Sequence, residues 1–142
     1  MKIPDSTRVL YAEDNEDACC MVKMLLGFSN IEVVTAKTVA DAWQLAKSEY
    51  FDLYLLDSYF PDGSGLDLCR KLREYAPQTP ILVYSANAYK TDVQNAIASG
   101  ANGYLIKPYF EDLAVSVEET IQKITPSKLA SEIIIEDVQI RV

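Results

Sequence analysis

Histidine is absent from all 142 residues. That removes a histidine-dependent catalytic triad, a histidine-containing metal site and any internal phosphohistidine. No run of about 18 apolar residues occurs to cross a membrane as a helix, and no basic start followed by an apolar stretch marks a signal peptide. Cysteine is scarce: Cys19 and Cys20 are adjacent, Cys69 stands alone, and neither metal-ligand nor redox spacing results. Reduced thiols in a cytoplasmic protein are the expectation. Positive charge is short as well, with 13 Lys and Arg against 21 Asp and Glu and a net charge of −8. Direct binding to nucleic acid or to an anionic membrane is therefore not expected. What remains is an ordinary globular composition, 49% hydrophobic and 24% charged, of a length suited to one domain.

The stretch FDLYLLDSYFPDGSG, from Phe51 to Gly65, organises the rest. Leu53 to Leu56 is a short apolar run of the kind that becomes a buried parallel strand. It ends on Asp57, a carboxylate that is costly at a strand exit unless something nearby compensates it. Four further runs share this character: Arg8 to Ala12, Glu32 to Ala36, Ile81 to Tyr84, and Tyr104 to Ile106. Between and after them apolar residues recur at helical spacing. Ala18, Met21, Val22, Leu25 and Leu26 precede a stop at Gly27; Val39, Ala42, Trp43 and Ala46 follow a cap at Thr38, with Asp41 as its capping-box partner. Leu66, Cys69 and Leu72 follow Ser64. Val93, Ala96 and Ile97 follow a capping box of Thr91 and Gln94, and Leu113, Val117, Ile121 and Ile124 form the last stripe.

Strand alternating with helix calls for an α/β fold, a doubly wound open parallel sheet with helices on both faces. Ligands of such sheets sit outside the carboxyl ends of the strands, near the switch in strand order. Four of the five strands end there on polar residues: Glu13 and Asp14, Asp57, Ser85, and Lys107. Three carboxylates brought together repel unless a cation intervenes, and an all-oxygen set favours Mg²⁺, with Mn²⁺ as the alternative. Lys107 and Ser85 suit phosphoryl oxygens. An ionised Asp57 beside a cation and a lysine is a competent nucleophile toward phosphorus. Phosphorylation of Asp57 is the expected chemistry.

These residues resemble the receiver domain of two-component response regulators. The motifs that carry the likeness are Glu13-Asp14, LLDSYFPDGSG, Ser85-Ala86, and GANGYLIKPY with Lys107-Pro108, and they span Arg8 to Ile124. The resemblance implies a flavodoxin-like (βα)5 fold with strand order 2-1-3-4-5, over residues 1–125. It implies that Asp57 accepts phosphate from a histidine kinase or histidine phosphotransfer protein. Asp14, Asp57 and the Tyr59 carbonyl oxygen would hold Mg²⁺, with Glu13 helping through water, and Ser85 and Lys107 would bind the phosphoryl group. Tyr104 matches the family's aromatic switch, paired with Ser85, and the Lys107-Pro108 bond would be cis. The surface of the fourth helix, fifth strand and fifth helix would signal to a downstream protein target. Such a chain would be a self-phosphorylating acceptor that dephosphorylates itself, not a turnover enzyme.

Two departures stand out. Tyr59 and Asn87 occupy the positions that flank the attacking water in this family, so a bulky Tyr59 would slow hydrolysis. Tyr84 is larger than the aliphatic residue usual before the hydroxyl. Rival readings fit less well. A flavodoxin-type carrier needs a hydroxyl- and glycine-rich turn after the first strand, where this chain has EDNED. A phosphatase of the haloacid dehalogenase type would want a second Asp where Tyr59 stands. The remaining alternative is a receiver fold used as a phosphorylation-independent interaction module. Residues 126–142 lie outside the match and are too short for an output domain, so a stand-alone receiver is expected. Within them, alternation from Ile134 to Val142 suggests a strand, with a homodimer or partner contact ranked ahead of packing on the same chain.

Overall fold

The five apolar runs become strands because each is short, rich in aliphatic residues and bounded by polar turns. In the computed structural model, which describes residues 7–109, 111–123 and 140–141, they are β1 (Arg8–Ala12), β2 (Glu32–Ala36), β3 (Leu53–Leu56), β6 (Ile81–Ser85) and β7 (Gly103–Ile106). A two-stranded antiparallel ribbon, β4 (Tyr59–Phe60) and β5 (Gly63–Ser64), turns around Pro61 and Asp62. The helices are α1 (Glu16–Gly27), α2 (Val39–Ser48), α3 (Gly65–Tyr75), α4 (Lys90–Ala98) and α5 (Leu113–Lys123). The main sheet runs β2-β1-β3-β6-β7 with every neighbour parallel, the expected order 2-1-3-4-5 when its strands alone are counted. A sixth strand, β8 (Ile140–Arg141), lies parallel to β7 on the outer edge. It falls within the stretch whose alternation suggests a strand, and it is paired to its own chain.

Side-chain alternation along the strands splits the core in two. Val9, Tyr11, Leu53, Leu55, Leu82, Tyr84 and Leu105 face α1 and α5, where Val22, Leu26, Leu113 and Val117 meet them. Leu10, Ala12, Leu56, Val83, Tyr104 and Ile106 face α2, α3 and α4, and pack on Ala42, Ala46, Leu68, Cys69, Leu72 and Ala96. This is the arrangement that right-handed crossovers impose when strand order reverses at β1.

Local details depart from expectation. In α1 the buried residues are Cys19, Val22 and Leu26, while Met21 is exposed, because the buried arc is narrower than the apolar stripe. Trp43 is only half-buried: Lys47 and Lys71 lie over its ring and Tyr75 meets its edge. Gly27 belongs to α1, and the left-handed residue beyond the helix is Asn30 (φ 63°). Thr38 caps α2 by accepting from the Asp41 amide at 3.0 Å, and Ser64 caps α3 by accepting from Leu66 at 3.1 Å. The expected Thr91–Gln94 box does not form. The loop delivers the chain into α4 at Lys90, so the Asp92 carboxylate accepts from the Tyr89 amide instead. Ile124 lies outside the described residues. None of the helices among them is long and apolar enough to cross a membrane.

Candidate functional site

The carboxyl ends of β1, β3, β6 and β7 form one rim, and the backbone fixes the residues there. Glu13 donates its N–H to Ala36 O at 2.8 Å, Asp57 to Ala12 O at 3.0 Å, and Lys107 to Ser85 O at 2.9 Å. Each site residue thus makes the last rung of a ladder, so the sheet sets its height and direction. Gly65 permits the turn after Asp57. A Cβ there would stand 1.9 Å from the Asp57 carbonyl oxygen, and the Gly65 N–H donates to Ser58 O at 2.7 Å. Asp62, in the same turn, caps α2 from outside, accepting from the Val39 and Ala40 amides at 2.9 and 3.1 Å. These bonds hold its carboxyl below its ordinary pKa.

Glu13, Asp14 and Asp57 converge, with one carboxylate oxygen from each lying within 4.8 Å of the others. Glu13 is buried and Asp14 exposed, with Asp57 between. Lys107 extends from the end of β7 and bonds Glu13 directly, while its Nζ stands 3.6 Å from Asp57 Oδ1. Its nearer partner is therefore Glu13. Burial raises the Asp57 carboxyl above its ordinary pKa; the Lys107 charge opposes this, while Glu13 and Asp14 add to it. For Lys107, burial works to lower the ammonium, but the bond to Glu13 and the charge of Asp57 outweigh it, and its pKa is raised. Three oxygen donors carrying more negative charge than one lysine offsets are a fitting site for a hard divalent cation such as Mg²⁺.

Ser85 is buried, and its Oγ accepts from the Asn87 N–H at 3.2 Å. Tyr104 is also buried, and its hydroxyl donates to the Asn87 carbonyl at 2.8 Å, tying β7 to the loop after β6. Tyr59 begins the ribbon after Asp57 and is 67% exposed, so its ring is open to solvent beside the turn. The Lys107-Pro108 peptide is cis.

Two tyrosines under the rim were not among the expected site residues. Tyr11 donates its hydroxyl to Glu13 Oε1 at 3.1 Å, and burial together with that charge pushes its pKa up. Two-residue spacing on one strand places Tyr11 and Glu13 on the same face, a signal available in the sequence. Tyr84, the oversized residue before Ser85, packs against Tyr11 with ring centroids 6.3 Å apart. Its hydroxyl donates to Tyr109 O at 3.1 Å and accepts from Tyr109 N–H at 3.0 Å. The extra length of tyrosine thus clamps the loop that follows Lys107. No local pattern announces this, since the partner lies 25 residues away.

Residues 9–125 match the model of the response regulator receiver domain. The response regulator ArlR of Staphylococcus aureus is 30% identical over 118 residues, which cover 82% of this chain and 53% of that protein. The chain thus spans about half the length of the curated relatives it matches. Among solved structures, a two-component response regulator from Clostridium difficile superposes with a TM-score of 0.79 at 27% identity, covering 86% of this chain and 100% of that one. The non-phosphorylated HemR receiver domain of Leptospira biflexa gives 0.78 at 29%, covering 85% and 98%. With the strand order, the acidic cluster and the lysine rim in agreement, the chain belongs to the response regulator receiver domain family of two-component systems.

Proposed function

We propose that Asp57 accepts a phosphoryl group from a phosphohistidine on a separate protein, a histidine kinase or histidine phosphotransfer protein. The convergence of Glu13, Asp14 and Asp57 with Lys107 at one sheet rim carries this reading. An Asp57 carboxylate oxygen attacks phosphorus, an O–P bond forms as the P–N bond breaks, and the departing imidazole takes up a proton. Asp14, Asp57 and the Tyr59 carbonyl would hold Mg²⁺, with Glu13 behind them; the ion would supply the charge neutralisation that phosphoryl transfer requires. Lys107 and Ser85 then bind phosphoryl oxygens, and no general base is needed. Water later attacks phosphorus, releasing orthophosphate and restoring the carboxylate. One acceptor residue modified once per cycle makes this a switch and not a turnover enzyme.

A donor approaching the rim would pass α1, whose outer face exposes Met21 and Met24, with Phe28 just beyond its end. A cleft of about 170 Å³ beside Lys107, lined by Met21, Tyr84 and Pro108 among others, continues that face. An apolar helical surface presenting a phosphohistidine fits both. The face of α4, β7 and α5 is the proposed route to a downstream protein.

Incubation with Mg²⁺ and a small phosphodonor should add one phosphoryl group, about 80 Da, read by intact mass. No mass gain in the wild-type chain, or an equal gain in Asp57→Ala, overturns the proposal. Tyr59, beside the turn, is expected to shield the acyl phosphate from water. Tyr59→Ala should shorten the phosphate lifetime several-fold, on the order of the rate differences that water exclusion produces. A lifetime equal to wild type removes Tyr59 from that role.

A further inference from the structure

A buried carboxylate that loses its counter-charge is costly unless other donors stay on it. Glu13 is 2% exposed, and among the described residues it has two side-chain donors, Lys107 and Tyr11, both on Oε1. The Asn15 N–H occupies Oε2 at 3.0 Å. Lys107 also stands 3.6 Å from Asp57 Oδ1, within reach of both the carboxylate that holds it and the one expected to gain charge. Its ammonium is carried on a flexible stem. Tyr11 has no such freedom. It is fully buried on β1, two residues before Glu13 and on the same face of the strand. Its ring packs on Tyr84, and the Tyr84 hydroxyl is engaged by the Tyr109 N–H and carbonyl oxygen. Tyr11 therefore gives its one hydroxyl proton to Glu13, at 3.1 Å, whatever Lys107 does.

We propose that Tyr11 is a positioning residue for phosphoryl binding: it stays on Glu13 when Lys107 leaves that carboxylate for the phosphoryl group, and so sets how readily Lys107 moves. The destination of Lys107 rests on the proposed phosphorylation of Asp57; the hold of Tyr11 on Glu13 does not. A phosphoryl group on Asp57 adds negative charge beside Lys107 and draws the ammonium off Glu13. With Tyr11 in place, Glu13 keeps one donor on each oxygen, the Tyr11 hydroxyl on Oε1 and the Asn15 N–H on Oε2. Without that hydroxyl, Oε1 depends on Lys107 alone, and the unphosphorylated arrangement holds the ammonium back. Tyr11 acts on the phosphoryl group through Glu13 and Lys107.

The first test mimics the departure of Lys107. Denaturant unfolding of the full chain, Tyr11→Phe, Lys107→Ala and the double variant forms a double-mutant cycle. Loss of the hydroxyl should lower the folding equilibrium constant at least about fivefold more in Lys107→Ala than in wild type, since Glu13 then loses its last side-chain donor. An equal or smaller effect in Lys107→Ala overturns the hold on Glu13. The second test measures beryllofluoride affinity by calorimetry at saturating Mg²⁺. Tyr11→Phe should bind about tenfold more weakly than wild type, the size of one hydrogen bond to a charged group. In a Glu13→Gln background no carboxylate retains Lys107, and the same substitution should change the affinity by less than about twofold. No loss in Tyr11→Phe, or a loss of equal size in the Glu13→Gln background, overturns the effect on Lys107. A wild-type chain that binds no beryllofluoride counts against the phosphoryl site itself, while the unfolding cycle still decides what Tyr11 does for Glu13.

Discussion

With Lys107 bonded to buried Glu13 and standing 3.6 Å from Asp57, one ammonium serves two carboxylates, and Asp14 adds a third. Burial leaves Asp57 with a raised pKa in the folded chain. The stabilising contribution of its protonated form is fully present below the unfolded value of about 3.9 and is lost as pH rises through the higher folded value. At neutral pH without divalent cations, ionised Asp57 is thus a cost. Asp57→Asn should melt higher than wild type at pH 7, by about 3 °C for each ~1 kcal/mol recovered, and the gap should narrow toward pH 4. A lower melting temperature for the variant at pH 7 contradicts this account. Mg²⁺ should then stabilise wild type more than the variant, because a ligand of the folded state adds stability by mass action. Lys107→Ala works the other way. Among the described residues it leaves Glu13, 2% exposed, with the Tyr11 hydroxyl and the Asn15 amide. Denaturant unfolding should report a loss of about 3 kcal/mol, partly restored when Glu13→Gln is added.

The elements place these residues through close approach and capping. Gly65→Ala puts a methyl group 1.9 Å from the Asp57 carbonyl oxygen, so the turn between β3 and α3 must open. A cost of about 3 kcal/mol is expected, with loss of the phosphorylation mass gain as Asp57 leaves the rim. Gly27 provides the contrast: a Cβ there meets nothing within 4 Å, and Gly27→Ala in the last turn of α1 should be neutral or stabilising by up to about 1 kcal/mol. Equal denaturation midpoints for the two variants would refute the steric argument. Strand positions and strand order were legible because short aliphatic runs ending in polar residues carry that information locally. So were the cap at Thr38 and the start of α3 near Ser64. The start of α4 was not, since Tyr89 and Asp92 cap only because the loop after Ser85 delivers the chain there. Neither was the reach of Asp62 to α2, which depends on two turns meeting across the rim. Met21 misled because an apolar residue on a helix signals burial equally well whether it faces core or an exposed cleft.

Across the whole molecule, charge is handled differently at the two ends of the sheet. The carboxyl end gathers carboxylates around one lysine. At the opposite end Arg73, in the last turn of α3, is surrounded by neutral oxygen acceptors. Its guanidinium donates to Gly100 O at 3.1 and 2.8 Å, Thr79 O at 2.7 Å, Pro77 O at 3.1 Å and Asn102 Oδ1 at 2.7 Å. Asn102 Oδ1 also accepts from the Ile81 N–H, so one side chain ties α3, the entry to β6 and the turn into β7 together. Burial lowers the Arg73 pKa, the direction expected where neutral carbonyl groups stand in place of water. Lysine cannot reproduce the planar fork, so Arg73→Lys should lower unfolding stability by about 3 kcal/mol, several lost bonds at roughly 1 kcal/mol each. The rim residues sit at the far end of the same strands, and their rungs to Ala36, Ala12 and Ser85 do not involve Arg73. Below its melting temperature the variant should therefore reach the same phosphoryl mass gain at saturating donor and Mg²⁺. A folded Arg73→Lys chain that fails to gain the mass would mean that the two ends are not independent, and that the strands transmit strain along their length.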